Sequence, residues 1–348
     1  MTTVSVIVPV YDGARTVAAT LRSVLNQTCR DIEIIVVDDG STDDSADIVR
    51  RAAADDSRIA LLCTENRGVA AARNRGIAHA SGEFVAPLDA DDLWHPRKLD
   101  LQIKSFSRAG SDTVLVYNWF APIGAQDQLL VRPKMPVVEG AVYYRHLDYN
   151  FISNGSTPLI RRAALDGLQY DTGLAAQGVG GCEDYLLQLQ LALRGRFACM
   201  PAFLTGYRKA GGSMSSQVGR MIRSHMHVLE QMREYGPRDA GAVIDRRMAE
   251  FAVELARHRL RRGQIASGFE AIGTGLRSAP IAAVRHMVRD ARAALGRKRG
   301  TNPETCNAAS PVFPPSDPFA SIGDPLPPAR LARLAPLALR DRCSDYLR

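Results

Sequence analysis

At 348 residues, with 46% hydrophobic and 23% charged side chains and a formal charge of +7, the chain can bury a full core, which excludes disorder along its whole length. The first residues, Met1-Thr2-Thr3-Val4-Ser5-Val6, carry no basic leader, and no run of about 18 apolar residues occurs, so a soluble, cytoplasmic protein is expected. Cys29, Cys63, Cys182, Cys199, Cys306 and Cys343 are scattered without a C-x-x-C pair, a spacing that suggests neither a disulfide framework nor a structural zinc.

Val4-Ser5-Val6-Ile7-Val8 is a short β-branched run, as expected for a strand buried on both faces of a parallel sheet. Val17, Leu21, Val24 and Leu25 fall at helical spacing between Ala14 and Asn26, and Ile34-Ile35-Val36-Val37 repeats the strand signal, completing a βαβ unit. A helix at Asp43 to Ala54, a strand at Ile59 to Leu62, a helix at Gly68 to His79 and a strand at Phe84 to Leu88 follow, and Pro96 opens another helix. The expected fold class is therefore α/β, a doubly wound, mostly parallel sheet with helices on both faces, whose ligands sit at the strand C-terminal ends.

From Thr113 to Arg208 the spacing is less regular, with strands at Thr113 to Tyr117 and Ser156 to Ile160 and a helix at Glu183 to Arg194. Ser216 to Arg299 reads as almost wholly helical, with a break at Gly236-Pro237. The Pro-, Ala- and Ser-rich stretch after Gly300 reads as a disordered linker before a short helix, Ala329 to Leu347. Four regions result: an α/β subdomain at 1–112, a second subdomain at 113–216, a basic helical extension at 217–300 and a tail at 301–348.

Two acidic clusters follow strands. Asp38-Asp39 precedes Gly40-Ser41-Thr42-Asp43, and adjacent carboxylates at a strand tip are costly unless a cation, base edge or ribose uses them. An ordinary solvated turn is the plain alternative. Asp89-Ala90-Asp91-Asp92 follows the Phe84 strand on the same edge, and a D-x-D there can chelate Mg²⁺ or Mn²⁺ while leaving positions for diphosphate oxygens.

At this point the sequence resembles the inverting family-2 glycosyltransferases of the GT-A fold. The matching residues are Val6-Ile7-Val8-Pro9-Val10-Tyr11, Val37-Asp38-Asp39-Gly40-Ser41-Thr42-Asp43, Asn66-Arg67-Gly68, Ala72-Arg73-Asn74-Arg75-Gly76 and Leu88-Asp89-Ala90-Asp91-Asp92. Glu183-Asp184-Tyr185 and Gly212-Ser213-Met214-Ser215 continue the series in order. The resemblance implies a nucleotide-diphosphate donor, by family habit a UDP-sugar. It implies a saccharide or lipid-linked saccharide acceptor and a single displacement with inversion, in cell-surface polysaccharide or glycolipid synthesis.

It also implies roles. Pro9, Tyr11 and Asp39 would floor the donor base, with Asp38 able to replace Asp39, and Arg73 would lie near the diphosphate. Asp89 matches a ribose contact that also flanks the metal, and Asp91 matches the Mn²⁺ or Mg²⁺ ligand. Asp184 is similar to the catalytic base, with Glu183 as the alternative, although acids at a helix start also serve the helix dipole. Asn154 and Ser156 match the acceptor side, with a polar turn as the plain explanation. Ala210 stands where many relatives carry His, so Arg208 or Lys209 would serve the phosphates and weaker metal retention is expected.

Between Gln217 and Gly300 stand 17 Arg or Lys against 8 Asp or Glu, which suits an anionic membrane surface or simply a solvated helical face. Nucleic acid is disfavoured by the scarcity of aromatic side chains there. A sugar-phosphate nucleotidyltransferase would need a Gly-rich, Arg-bearing loop where Val10-Tyr11-Asp12-Gly13-Ala14 stands, and a dehydrogenase would need G-x-G-x-x-G. A non-catalytic nucleotide-sugar-binding module of the same fold is the remaining rival.

Overall fold

The structure, a computed structural model, describes residues 3–209 and 217–298, with side chains described as far as residue 291. Ala210, the Gly212 to Ser215 segment, the Pro-rich tail and the expected Ala329 helix lie outside the described residues. What is described forms two compact units, residues 3–172 with 183–209, and residues 173–182 with 217–298.

The first unit is built on one eight-stranded sheet: β1 (Val4–Val10), β2 (Ile32–Asp38), β3 (Ile59–Cys63), β4 (Phe84–Pro87), β5 (Leu93–Trp94), β6 (Thr113–Ile123), β7 (Leu159–Arg161) and β8 (Arg196–Arg208). Their order is β3-β2-β1-β4-β7-β6-β8-β5. The β1–β2, β2–β3, β1–β4 and β6–β8 pairs are parallel, and the β4–β7, β6–β7 and β5–β8 pairs antiparallel. The sheet is thus mixed and mostly parallel, as expected for the GT-A class.

The continuous apolar run of β1 has its physical cause in burial on both faces. Val4, Val6, Val8 and Val10 join a core with Val17, Leu21 and Val24 of α1 (Val17–Leu25), Val49 of α2 (Ser45–Asp55) and Leu99 and Phe106 of α4 (Lys98–Ala109). Ile7 points the other way, onto Gly76 of α3 (Val69–Ala78). Successive residues of one strand therefore anchor helices on opposite faces.

Three elements escape the sequence pattern. β8 runs thirteen residues, but Pro201 and the register shifts opposite Asn118 and Trp119 of β6 break its alternation. β5 has two residues, too few to leave a period. The third is α5 (Tyr143–Asp148), one turn and a half long, ahead of α7 (Glu183–Ala192).

The second unit holds the short α6 (Gly173–Ala176), α8 (Val218–Tyr235), α9 (Gly241–Arg261), α10 (Ile265–Ser278) and α11 (Pro280–Lys298). The expected break is present: Gly236 ends α8, and a 3₁₀ turn at Arg238–Ala240 leads into α9. Ile222, Leu255, Ala256 and Ala271 form one small core, and Ala249, Val253 and Ala283 another. No described helix is long and apolar enough to cross a membrane.

A Cβ on Gly76 would stand 2.5 Å from Ile7 Cγ2 and 3.3 Å from Val37 Cγ2. Gly76→Ala should therefore force α3 off the sheet and destabilise the first unit by about 1–3 kcal/mol. Thermal or urea unfolding checks this, and an unchanged midpoint refutes the close-packing role.

Candidate active site

Parallel pairing brings the C-terminal ends of β1, β2 and β4 to one edge. Val10 lies opposite Asp38, and the Leu88 N–H donates to the Ile7 carbonyl at 2.9 Å. Pro9 is buried within β1 opposite Val37, while Tyr11, just beyond the strand, is 54% exposed. Asp38 turns its carboxylate onto the Ser41 N–H and hydroxyl. Asp39 accepts from the backbone N–H groups of Gly68 at 2.7 Å and Arg67 at 3.0 Å, and from the Thr64 hydroxyl at 3.4 Å. The Asn66-Arg67-Gly68 segment thus serves Asp39 through its backbone, and Asp39 ties β2 to the start of α3. Gly40 between them has φ +77°, and a Cβ there would lie 2.8 Å from the Asn66 nitrogen, so glycine is required.

The Asp89–Asp92 loop is held from below by groups its own sequence does not announce. Asp92 is fully buried, and its carboxylate accepts from the Ser156 hydroxyl at 2.7 Å, the Asn154 amide at 3.2 Å and the Arg208 N–H at 3.0 Å. Burial, with the charges of Asp91 and Asp89 beside it, raises its pKa well above the ordinary carboxylate range. Thr20 of α1 donates to the carbonyls of Ala90 and Asp92, each at 2.9 Å, and the Ser156 hydroxyl accepts from the Asp89 N–H at 3.0 Å. With the loop backbone pinned in this way, Asp89 and Asp91 keep their side chains partly accessible. Burial and the neighbouring Asp89 charge push Asp91 up to about 6.

Arg73, on α3, joins this loop to α7. Its guanidinium donates to Asp89 Oδ1 at 2.5 Å and to Glu183 Oε1 at 3.0 Å, and lies 5.2 Å from the Tyr170 ring centre. The Tyr170 backbone is pinned by Asn74, which donates to its carbonyl and accepts from its N–H, both at 2.8 Å. Asp184 stands next to Glu183, and its Oδ1 accepts from the Tyr185 N–H at 2.7 Å. A Cβ on Gly155 would meet Asp184 Oδ2 at 3.4 Å and the Arg73 guanidinium at 3.5 Å, so these two groups border the same small space. Burial, then the Glu183 charge, raises Asp184 to about 7 against the opposing pull of Arg73. One cation faces three carboxylates, and Glu183 and Asp89 hold its direct bonds.

Four residues sit otherwise than expected. Asn154 and Ser156 do not line an acceptor surface: both are buried, with side chains bonded to Asp92. Arg208 is not free for phosphates, since its guanidinium donates to the carbonyls of Asp91 at 2.7 Å and Gly124 at 3.0 Å and pairs with Asp127 at 2.5 Å. Arg73 is spent on carboxylates, so it shapes the site through them. The exposed Lys209 places its ammonium 4.2 Å from the Tyr207 ring centre. Thr20 and Tyr170, absent from the expected site, carry no motif signal, because each acts through sequence-distant groups.

Arg73→Gln would leave Glu183 and Asp89 without their cation in a buried setting, at a cost of about 3–5 kcal/mol. Arg73→Lys should recover only part of this, because an ammonium cannot span two carboxylates as a fork does. Thermal unfolding of the three proteins checks the order, and equal midpoints refute it.

Comparison with known proteins places this geometry. The sequence profile described as glycosyl transferase family 2 matches residues 5–157. An Escherichia coli relative named UDP-Glc:alpha-D-GlcNAc-diphosphoundecaprenol beta-1,3-glucosyltransferase WfgD is 45% identical over 101 residues, 29% of this chain and 39% of that protein. A Nostoc uncharacterized glycosyltransferase is 41% identical over 128 residues, 36% of this chain and 39% of its own. An uncharacterized glycosyltransferase of Rickettsia bellii is 45% identical over 101 residues, 29% of this chain but 14% of its own, so the chain spans well under half the length of these relatives. Among solved structures, Staphylococcus aureus TarS in complex with UDP-GlcNAc superposes with a TM-score of 0.59 at 19% identity, covering 82% of this chain and 83% of that one. The Pyrobaculum calidifontis mannosyltransferase PcManGT, in complex with GDP-Man and Mn²⁺, gives 0.57 at 21% identity, covering 84% and 80%. Residues 5–157 thus match the glycosyl transferase family 2 profile, and the first unit shares the GT-A fold of these solved structures.

Proposed function

We propose that the chain transfers a sugar from a nucleoside diphosphate donor, a UDP-sugar by class, to a hydroxyl of a saccharide or lipid-linked saccharide, with inversion, in cell-surface polysaccharide or glycolipid synthesis. The observation that carries this reading is Asp184, a carboxylate raised to about 7 beside the Arg73, Asp89 and Glu183 network. A base of that pKa is poised to take a hydroxyl proton near neutrality. Glu183 is the weaker candidate because its carboxylate is bonded to Arg73. The names of WfgD and of the TarS complex support a UDP-linked donor, and WfgD supports a lipid diphosphate acceptor.

The donor base would lie over Pro9 and against Tyr11, with Asp39 or Asp38 turned to its polar edge. Asp89 would meet the ribose. The acceptor hydroxyl gives its proton to Asp184 as its oxygen forms the new bond to the anomeric carbon. The bond from that carbon to the diphosphate oxygen breaks, and its electron pair leaves with the diphosphate. A single displacement of this kind inverts the centre.

The site also fits a divalent cation. Asp91 and Asp89 are hard oxygen donors whose mutual repulsion a cation would relieve, and the described residues contain no group of three or more His, Cys, Asp or Glu arranged to hold a metal. Asp91, with the free oxygen of Asp89, would hold Mn²⁺ or Mg²⁺, the remaining positions falling to the donor and water. The ion would offset the charge that develops on the departing diphosphate.

Asp184→Asn should lower turnover about 10³-fold or more while donor binding persists, because only proton transfer is lost. In the wild type kcat/KM should rise about tenfold per pH unit as Asp184 ionises, then level off above about 7. A nucleotide-sugar panel read by thermal shift identifies the donor for the assay. Retained turnover in Asp184→Asn would sink Asp184 as the base, and donor binding without turnover in the wild type would favour a binding module.

Contact with an anionic membrane belongs to the same reading. α10 exposes Ile265, Phe269 and Leu276 with Arg277 beside them, and α11 exposes Ile281, Val284 and Val288 among Arg285 and Arg289, each set at helical spacing. Phe269→Asp with Ile281→Asp should abolish pelleting with phosphatidylglycerol vesicles at low salt. Equal pelleting of variant and wild type, or none by either, rejects it.

A further inference from the structure

The second unit contains a cavity of about 440 Å³ between the start of α8 and the end of α9. Its lining includes Arg220, Arg223, His258, Arg259, Arg262 and Gln264, and no carboxylate. Three other arginines of this unit pair with acids: Arg233 with Asp245 at 2.6 Å, Arg257 with Asp290 at 2.9 Å, and Arg247 with Glu250. Among the described residues none of the four cavity arginines has an acidic partner, and Arg259 alone donates a side-chain bond, to the Ser267 carbonyl at 2.9 Å. Arg220 Nε is sealed from solvent without a hydrogen-bond partner. Four permanent cations around one space repel one another, and a buried guanidinium N–H without an acceptor adds a desolvation cost. An anion seated there removes both.

The surrounding backbone has the same polarity. Gln217 and Val218, at the start of the eighteen-residue α8, line the cavity, and the Gln217 side chain caps none of the free N–H groups there. Gly219 has no side chain to hold the His258 ring away, since a Cβ would lie 3.0 Å from its Cδ2 and Nε2. Guanidinium forks match the paired oxygens of a phosphate.

We propose that this cavity is a second anion site, sharing no residue with the carboxylate-lined edge of the sheet, and that it takes a phosphate or diphosphate group. The group is carried either by a lipid headgroup or by a soluble molecule.

Calorimetric titration of the full chain with inorganic pyrophosphate, in EDTA at low salt, tests it. Arg220→Gln with Arg262→Gln should weaken binding about tenfold or more, since each charged hydrogen bond lost is of that order. Asp91→Asn should leave the affinity unchanged. Arg262→Glu, at an exposed position, serves as a second variant if the double substitution lowers the thermal midpoint. Vesicles of phosphatidylcholine with and without phosphatidic acid separate the sources. Headgroup-dependent pelleting that falls with the same variants supports the site with a lipid ligand, and pyrophosphate binding alone supports it with a soluble one. No binding of either probe by the wild type, or binding that both sets of arginine variants leave intact, overturns the proposal.

Discussion

The carboxylate-lined edge of the sheet depends on one buried guanidinium. Arg73 reaches from α3 to Asp89 at the end of β4 and to Glu183 at the start of α7, drawing together groups up to 110 positions apart in sequence. Its two bonds satisfy two carboxylates and leave Asp184 facing the residual negative charge. That imbalance, added to burial, is what holds Asp184 near neutrality in pKa. A second cation within bonding distance would lower Asp184 again.

Asp92 supports the same edge in a different way. A fully buried carboxylate without a bonded cation is expensive, and three donors, from Ser156, Asn154 and the Arg208 backbone, offset that cost. In exchange the loop bearing Asp89 and Asp91 is tied at its backbone to α1, β8 and the segment before β7. The carboxylates of Asp89 and Asp91 are thus held in place by the fold itself, an arrangement that lowers the ordering cost of any binding there.

The helical unit distributes charge by another rule. Asp245, Glu250 and Asp290 are each paired with an arginine, whereas the four arginines at the cavity have no acidic partner among the described residues. Four of its arginines line the cavity between α8 and α9, while apolar side chains stay exposed on α10 and α11.

The sequence alone determined the βαβ alternation and the placement of Asp38, Asp39, Asp89 and Asp91. Parallel strands all open toward one edge, so an acid that follows a buried apolar run has only one place to go. It also marked the helix break at Gly236, since glycine and proline act locally. Tertiary structure decided which polar groups spend themselves on one another. Asn154 and Ser156 look like surface ligands in sequence yet belong to Asp92, the Arg208 guanidinium is held by Asp127 and the Asp91 carbonyl, and Arg73 looks like a phosphate clamp yet holds Asp89 and Glu183. Local periodicity encodes which face of an element is buried. The partner of a buried charge is set by distances between elements far apart in the chain, and only the assembled fold fixes those.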